Sequence, residues 1–315
     1  MRCGFFGQNG PVNILCSLQQ TICEKLIDNL SDTLSINNIL CIYKVKILLN
    51  MNNPQVTKAL STQVETSEAI RLLNINKNSY KKKFNEWLAG LIDGNGTFNL
   101  TKKGYTSLEI IMDLRDEHCL QIIKNVYGGS IKLRSGNNTL RYRLHHKEGL
   151  LNLINDVNGL IRNSYRLVQL NKICDKYKLN LIYPDKLKYI NGWLSGLIDA
   201  NGTIIINKIN TQLSINVSQK TIELLQPLIE IYGGNIYIDK SNTQSFKWYI
   251  TKKEDIINLI SYLKINPLKS VKKKTLNLIP KYYELKNLKA HKAPIGSFLN
   301  KSWEYFYRKW LSLCL

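Results

Sequence analysis

An internal repeat restricts how this chain folds more than any other feature. The segment Trp87-Leu88-Ala89-Gly90-Leu91-Ile92-Asp93-Gly94-Asn95-Gly96-Thr97 returns 106 residues later as Trp193-Leu194-Ser195-Gly196-Leu197-Ile198-Asp199-Ala200-Asn201-Gly202-Thr203. The likeness continues downstream: Tyr127-Gly128-Gly129 is answered by Tyr232-Gly233-Gly234, and Lys147-Glu148 by Lys253-Glu254. Two copies of this length are tandem domains, because a solenoid stacks three or more shorter units.

Both copies carry the same pattern of periodicities. Helices are predicted over 84–94 and 190–200, each followed by two strands (97–103 and 106–113; 203–208 and 211–218). A second helix (116–126; 220–231) leads to two further strands (130–134 and 139–145; 235–239 and 245–251). A third helix starts at Lys147 or Lys253, and a basic segment near 162–178 or 269–284 closes each copy. The order αββαββα is an α+β pattern. It places a first domain at 84–178 and a second at 187–284, between a leader (1–83) and a C-terminal extension (285–315). Asn53-Pro54 and the run Lys81-Lys82-Lys83 point to a partly extended leader, with helices within 18–49. The extension carries a basic and aromatic stretch, Trp303 to Trp310, read as a helix capping the second domain.

Strand alternation gives each sheet one apolar and one polar face. Phe98, Leu100, Leu108, Ile110, Met112, Ile131, Leu133, Leu140, Tyr142 and Leu144 share the apolar parity in the first copy. In the second, Ile204, Ile206, Leu213, Ile215, Val217, Ile236, Ile238, Phe246, Trp248 and Ile250 do so. The opposite parity collects Asn99, Thr101, Lys103, Ser107, Glu109, Lys132, Arg134, Arg141 and Arg143, and then Asn207, Gln212, Ser214, Asn216, Asn235, Tyr237, Asp239, Ser245, Lys247 and Tyr249, two faces dense in Arg, Lys, Asn, Gln, Ser and Tyr. These side-chain types pair with base edges and phosphates. Charge agrees: 44 Lys plus Arg against 23 Asp plus Glu give +21, which calls for a polyanionic partner. The seven cysteines form no CxxC or Cys/His set, so neither a disulfide framework nor a zinc site is expected. No apolar run approaches the ~20 residues that span a bilayer, and the N-terminus is a poor signal peptide. The wealth of Asn, Ile, Lys, Leu and Tyr resembles translation of an A+T-rich genome, such as a fungal mitochondrial one.

The motif itself sets bulky Leu and Ile beside small residues, Ala89 and Gly90 or Ser195 and Gly196, which let two helix backbones approach closely. Gly94, Gly96 and Gly202 are expected to end these helices as conformationally permissive residues. Leu88–Gly96 and Leu194–Gly202 resemble the LAGLIDADG signature, and the chain is similar to double-motif, single-chain homing endonucleases and group I intron maturases over roughly 80–284. The resemblance implies two tandem αββαββα domains forming a pseudo-two-fold saddle, with the motif helices at the interface and the scissile phosphates at its middle. It also implies a monomer, encoded in an organelle, whose partner is a double-stranded DNA target or group I intron RNA, with no membrane.

In the family, the penultimate motif position carries an acid that holds a divalent cation, and such metals activate water and neutralise the leaving oxygen. Here those positions are Asn95 and Asn201, uncharged ligands at best, so metal binding is weak or lost and Mg²⁺ matters only if cleavage is retained. Asp93 and Asp199 lie two residues earlier and do not share a helix face with the asparagines. Gln219 matches a position that supports the active-site water network, and is paired with Leu114 of the first copy. Lys269 or Lys272, and Arg162 or Arg166, match basic residues that face the scissile phosphate. His145 and His146 align with Thr251 and Lys252 and so stand outside the repeated chemistry. Three outcomes stay open: an endonuclease with impaired cleavage, a maturase that binds RNA without hydrolysis, and an eroded reading frame with neither activity.

Overall fold

The computed structural model describes residues 65–239 and 245–314. Contacts separate Met1–Leu73 from Asn74–Leu315, and both repeats lie in the second unit. The helices expected within 18–49 and the Asn53-Pro54 break fall outside the described residues. In chain order the first copy comprises α1 (Glu65–Asn95), β1 (Gly96–Leu100), β2 (Thr106–Asp113), α2 (Glu117–Tyr127), β3 (Ser130–Leu133), β4 (Thr139–Leu144), α3 (Lys147–Val157) and α4 (Ser164–Tyr177). The second comprises α5 (Trp193–Asn201), β5 (Gly202–Ile206), β6 (Leu213–Gln219), α6 (Gln226–Tyr232), β7 (Asn235–Asp239), β8 (Ser245–Ile250), α7 (Lys253–Ile265), α8 (Lys272–Leu276) and α9 (Ile279–Asn287). A final helix, α10, spans Phe298–Cys314.

Each copy builds a four-stranded antiparallel sheet, in order β1-β2-β4-β3 and β5-β6-β8-β7. The expected αββαββα order is present twice. Helix starts explain the placement of the basic segments. Asn163 caps α4, its side-chain oxygen accepting from the N–H groups of Tyr165 and Arg166, an arrangement that typically contributes ~1 kcal/mol. α2 buries Cys119, Leu120, Ile123 and Tyr127 along one stripe and stops at Gly128, whose φ of 78° suits glycine.

Several expectations need correction. The motif helix of the first copy begins at Glu65, not 84, so Lys81-Lys82-Lys83 is helical rather than extended. α6 covers only Gln226–Tyr232; the 220–225 stretch forms bends and turns ahead of Pro227. Leu100, Leu133 and Ile238 have the apolar parity yet are 38%, 64% and 48% exposed. Leu133 and Ile238 lie late in the edge strands β3 and β7, each paired with a neighbour on one side only. The remaining apolar-parity residues are buried or pack against the core. As expected, the extension buries Trp303, Phe306 and Trp310, packing α10 on α8 and α9 at the second copy.

Candidate nucleic-acid interface

The motif helices α1 and α5 cross at their glycines. A methyl group built on Gly90 would fall 1.9 Å from the Trp193 carbonyl oxygen, and one on Gly196 would fall 1.8 Å from that of Trp87. Only glycine permits this approach. Gly96 and Gly202 also serve space rather than backbone freedom: Gly202 has an ordinary extended φ of −80°, and a side chain at either would strike Ile92 or Ile198 of its own helix. The structure thus replaces the permissive-cap expectation with a packing one.

Two buried carboxylates lock the crossing. Asp93 accepts from the Arg162 and Asn163 N–H groups of its own copy (2.7 and 3.1 Å) and from Trp193 Nε1 of the other helix (2.7 Å). Asp199 accepts from the Lys269 and Ser270 N–H groups (2.8 and 3.2 Å) and from Trp87 Nε1 (2.8 Å). Each aspartate therefore ties the start of its own basic segment to the tryptophan of the other repeat. Complete burial pushes Asp93 up to about 7 despite these hydrogen bonds. The cation of the basic segment closes the stack: Lys269 Nζ lies 5.2 Å from the Trp87 ring and the Arg162 guanidinium 5.8 Å from that of Trp193. Burial lowers both cations from their ordinary values.

The helix ends meet where the resemblance puts them. Asn95 Nδ2 donates to Ala200 O, and Asn201 Nδ2 to Gly94 O, each at 3.4 Å. Lys272 Nζ donates to two carbonyls at the end of α5, Ile198 O (3.1 Å) and Asp199 O (2.6 Å), where the helix dipole favours a cation. The donor set does not suit a divalent ion. The motif positions carry carboxamides already engaged across the crossing, both aspartates beside them are spent on N–H donors, and an ammonium sits on the carbonyls. Among the described residues no group of three or more His, Cys, Asp or Glu is arranged to hold a metal.

The structure pairs Gln219 differently from the sequence comparison. Gly96 stands opposite Ile110 and Gly202 opposite Val217, so Gln219 corresponds to Met112 rather than Leu114. The β1–β2 and β5–β6 connections differ by one residue, and the strand register shows what linear alignment hides. Arg166 lies on α4 beside Gln219's cleft, its Nη1 donating to Gln169 Oε1 (3.3 Å).

On the polar face of the first sheet, Lys132 stands directly opposite Arg141, and Arg143 opposite Glu109 and Ser130. Glu109 Oε1 pairs with Arg143 (3.2 Å) and Oε2 lies 3.8 Å from Arg141. Directly opposed like charges on a sheet are unfavourable unless an anion joins them. Thr101, Ser107, Lys132, Arg141, Arg143 and His145 share a cavity of about 390 Å³ there; Asn99 and Lys103 border the same strand and turn. The second sheet is less charged: Tyr237 and Tyr249 meet edge to face with centroids 5.3 Å apart, opposite Lys247 and Asn216 or Asn235. Lys247 is held by Asp239. Four expected face residues are partly withdrawn. Ser107 and Asn216 are buried, Arg134 is half-buried at a turn, and the Asn207 side-chain oxygen is spent on Ile209 and Asn210 N–H groups. Gln212 and Asn210 share the same turn, and Ser214 accepts from Asn216 at 3.5 Å. His146 is not on this face; its ring covers Gly149.

The interdomain ties escaped the sequence reading. Besides the Trp–Asp pairs, Asp116 accepts from Val271 N (2.8 Å) and Ser164 Oγ donates to Glu223 (2.9 Å). The repeated Trp–x5–Asp spacing was the available signal; the other two ties had none.

The family model for LAGLIDADG endonucleases matches residues 88–177 and 194–283. The chain belongs to the LAGLIDADG endonuclease family. It is 44% identical over 272 residues to a protein of Saccharomyces cerevisiae named intron-encoded RNA maturase bI4, covering 85% of this chain and 41% of that one. It is 41% identical over 256 residues to a probable intron-encoded endonuclease aI2 of Debaryomyces hansenii, covering 76% and 39%. The chain thus spans about two fifths of each of these LAGLIDADG relatives. A structure titled LAGLIDADG meganuclease I-AabMI bound to uncleaved DNA superposes with a TM-score of 0.56 at 21% identity, covering 73% of this chain and 97% of that one. That likeness shows the fold, the two-domain LAGLIDADG arrangement. LAGLIDADG nucleases are generally dependent on divalent metals. No helix among the described residues is long and apolar enough to cross a membrane.

Proposed function

We propose that this chain is an organelle-encoded, monomeric, intron-encoded protein that binds nucleic acid across its two polar sheet faces and is impaired in metal-dependent cleavage. The observation that carries this reading is the pair of carboxamides, Asn95 and Asn201, engaged with the opposite helix end where the family places acids. An anionic partner fits the opposed Lys132 and Arg141 and the +21 charge. Double-stranded target DNA is one substrate; a maturase role on group I intron RNA is a second reading. It is favoured by the 44% identity to a protein named RNA maturase, and it requires binding without hydrolysis.

The test is a supercoiled plasmid carrying the intronless exon junction of the host gene, incubated with Mg²⁺ or Mn²⁺, beside gel-shift titration of that duplex and of the intron RNA. The expected result is salt-sensitive binding with little or no cutting, and increased cutting by the double variant Asn95→Asp, Asn201→Asp. Efficient double-strand cutting by the unmodified chain would refute the reading. A preference for the intron RNA over the duplex would select the maturase role.

A further inference from the structure

The outward faces of the two sheets carry different chemistry. Among the described strand residues of the polar parity, the first sheet presents three cations, Lys132, Arg141 and Arg143, and the second presents one, Lys247. That one is paired with Asp239, and both are less exposed than Arg141 and Arg143, whose side chains are about half in water. In place of cations the second sheet presents two rings. Tyr237 on the edge strand β7 and Tyr249 on β8 are diagonal neighbours: Tyr237 stands opposite Lys247, and Tyr249 opposite Asn235. An edge-to-face pair, here with planes at 69°, cannot shield both faces of both rings, and Tyr237 is 43% exposed. The residues paired with Tyr249 on either side, Asn216 and Asn235, are neutral amides, and Asn235 is exposed. The two sheets therefore suit different parts of a nucleic acid. Opposed cations suit the phosphates of a duplex. In a duplex the base faces are covered by their neighbours, and a tyrosine ring has no access to them. An unpaired base exposes its π-face, on which an aromatic side chain stacks, and frees its Watson–Crick edge, which a neighbouring amide can bond.

We propose that the Tyr237–Tyr249 face is a stacking platform for unpaired nucleotides, and that the chain takes a partner in which a duplex, held on the first sheet, runs into a single-stranded segment held on the second. This deepens the nucleic-acid reading above and rests on it. A fully paired target offers the second sheet nothing to stack on, whereas a structured RNA with loops or bulges does. The platform therefore favours RNA as the partner and supplies what the maturase role requires, affinity for a junction of paired and unpaired strands without hydrolysis. Stacking is not ionic, so its contribution survives added salt, which weakens phosphate contacts.

The test is fluorescence anisotropy of the full chain with a short RNA duplex, blunt or extended by a single-stranded uridine tail, across a salt series, beside the same pair of probes in DNA. The tailed RNA should bind about tenfold tighter than the blunt one, the scale of one base stacked on an aromatic ring, and the ratio should hold as salt rises. Tyr237→Leu should remove most of that advantage, leaving the blunt duplex bound as before and the salt slope unchanged. Tyr237→Phe, which keeps the ring, should behave as wild type. Arg141→Ala should do the reverse, weakening both probes and lowering the slope. With the unmodified chain, 2-aminopurine placed in the tail should lose fluorescence on binding, and 2-aminopurine placed within the duplex should not; this measurement decides the matter if a thermal melt shows that Tyr237→Leu misfolds. A tail advantage with RNA and not with DNA assigns the platform to RNA, and an advantage with both supports a platform for either strand. A tail advantage that vanishes as salt rises, or Tyr237→Leu indistinguishable from wild type, would overturn the platform while leaving nucleic-acid binding intact. Equal losses from Tyr237→Phe and Tyr237→Leu on the blunt duplex would do the same, since they would mean that the hydroxyl reads paired bases. Absence of salt-dependent binding to every probe would overturn both readings.

Discussion

At the helix crossing the two repeats are interchangeable; a few residues beyond it, at the ends of the second strands, they are not. Gly90 meets Trp193 as Gly196 meets Trp87, and Asp93 holds Trp193 as Asp199 holds Trp87. Gln219, however, faces its cleft where the first copy has Met112, and Lys272 caps a helix end where the first copy's basic helix has Tyr165. The sheets diverge likewise, one dense in Arg and Lys, the other carrying paired Tyr237 and Tyr249. The reason is geometric. At the crossing each contact is made twice, once in each direction between the two repeats, so a change in one copy is felt by both. The polar faces and clefts do not make reciprocal contacts with each other, which leaves each free to specialise.

The largest effects should come at the crossing. Gly90→Ala and Gly196→Ala each force a methyl into a carbonyl oxygen, so the helices must part and the carboxylate–tryptophan ties must break. We expect each to destabilise by ~3 kcal/mol or more, measured by urea unfolding. Both should suffer alike; tolerance of one and not the other would break the claim of interchangeability.

Asp93 allows a sharper test of what burial does at this seam. Burial raises it from 3.8 to about 7. Between those values the folded chain retains a proton that the unfolded chain has lost. This group's contribution therefore makes stability fall as pH rises from about 4 to about 7, by at most ~1.4 kcal/mol per pH unit, and level off above. Urea midpoints across this range should show that component, and Asp93→Asn should flatten it. An unchanged slope in the variant would mean that Asp93 is ionised throughout.

Among the specialised surfaces, Arg141→Ala should weaken binding of duplex DNA about tenfold or less, roughly ~1 kcal/mol, and lower the salt slope. Lys247→Ala should do less, since Lys247 is already held by Asp239. Equal losses in an anisotropy titration would argue that the two sheets contribute alike.

How much of this was legible in the sequence follows the same division. The seam was, because its constraints are written twice: Trp87 and Trp193, Gly90 and Gly196, Asp93 and Asp199 stand at one fixed spacing. The clefts were not. The β5–β6 connection is one residue longer than the β1–β2 connection, and the strand register sets Gln219 against Met112 rather than Leu114, which no linear alignment of short strands detects. The ties of Asp116 to Val271 and of Ser164 to Glu223 depend on the docking of two domains and have no local pattern. Parity assigned faces well in the central strands, β2 and β6, which have neighbours on both sides.

The edge strands β3 and β7 are where parity overstates burial, and they give the smallest expected effect. Leu133 and Ile238 alternate with the core residues, yet each lies in an edge strand and is 64% or 48% exposed. An apolar side chain that remains largely in water has little hydrophobic free energy to lose. Leu133→Ser and Ile238→Ser should therefore shift stability by no more than ~0.5 kcal/mol, against several kcal/mol for a buried neighbour such as Tyr142→Ala or Trp248→Ala. Thermal melts of the four variants decide it. A large loss for Leu133→Ser or Ile238→Ser, matching the core variants, would show that these edges are covered in the folded chain and would return them to the core face that simple alternation assigns.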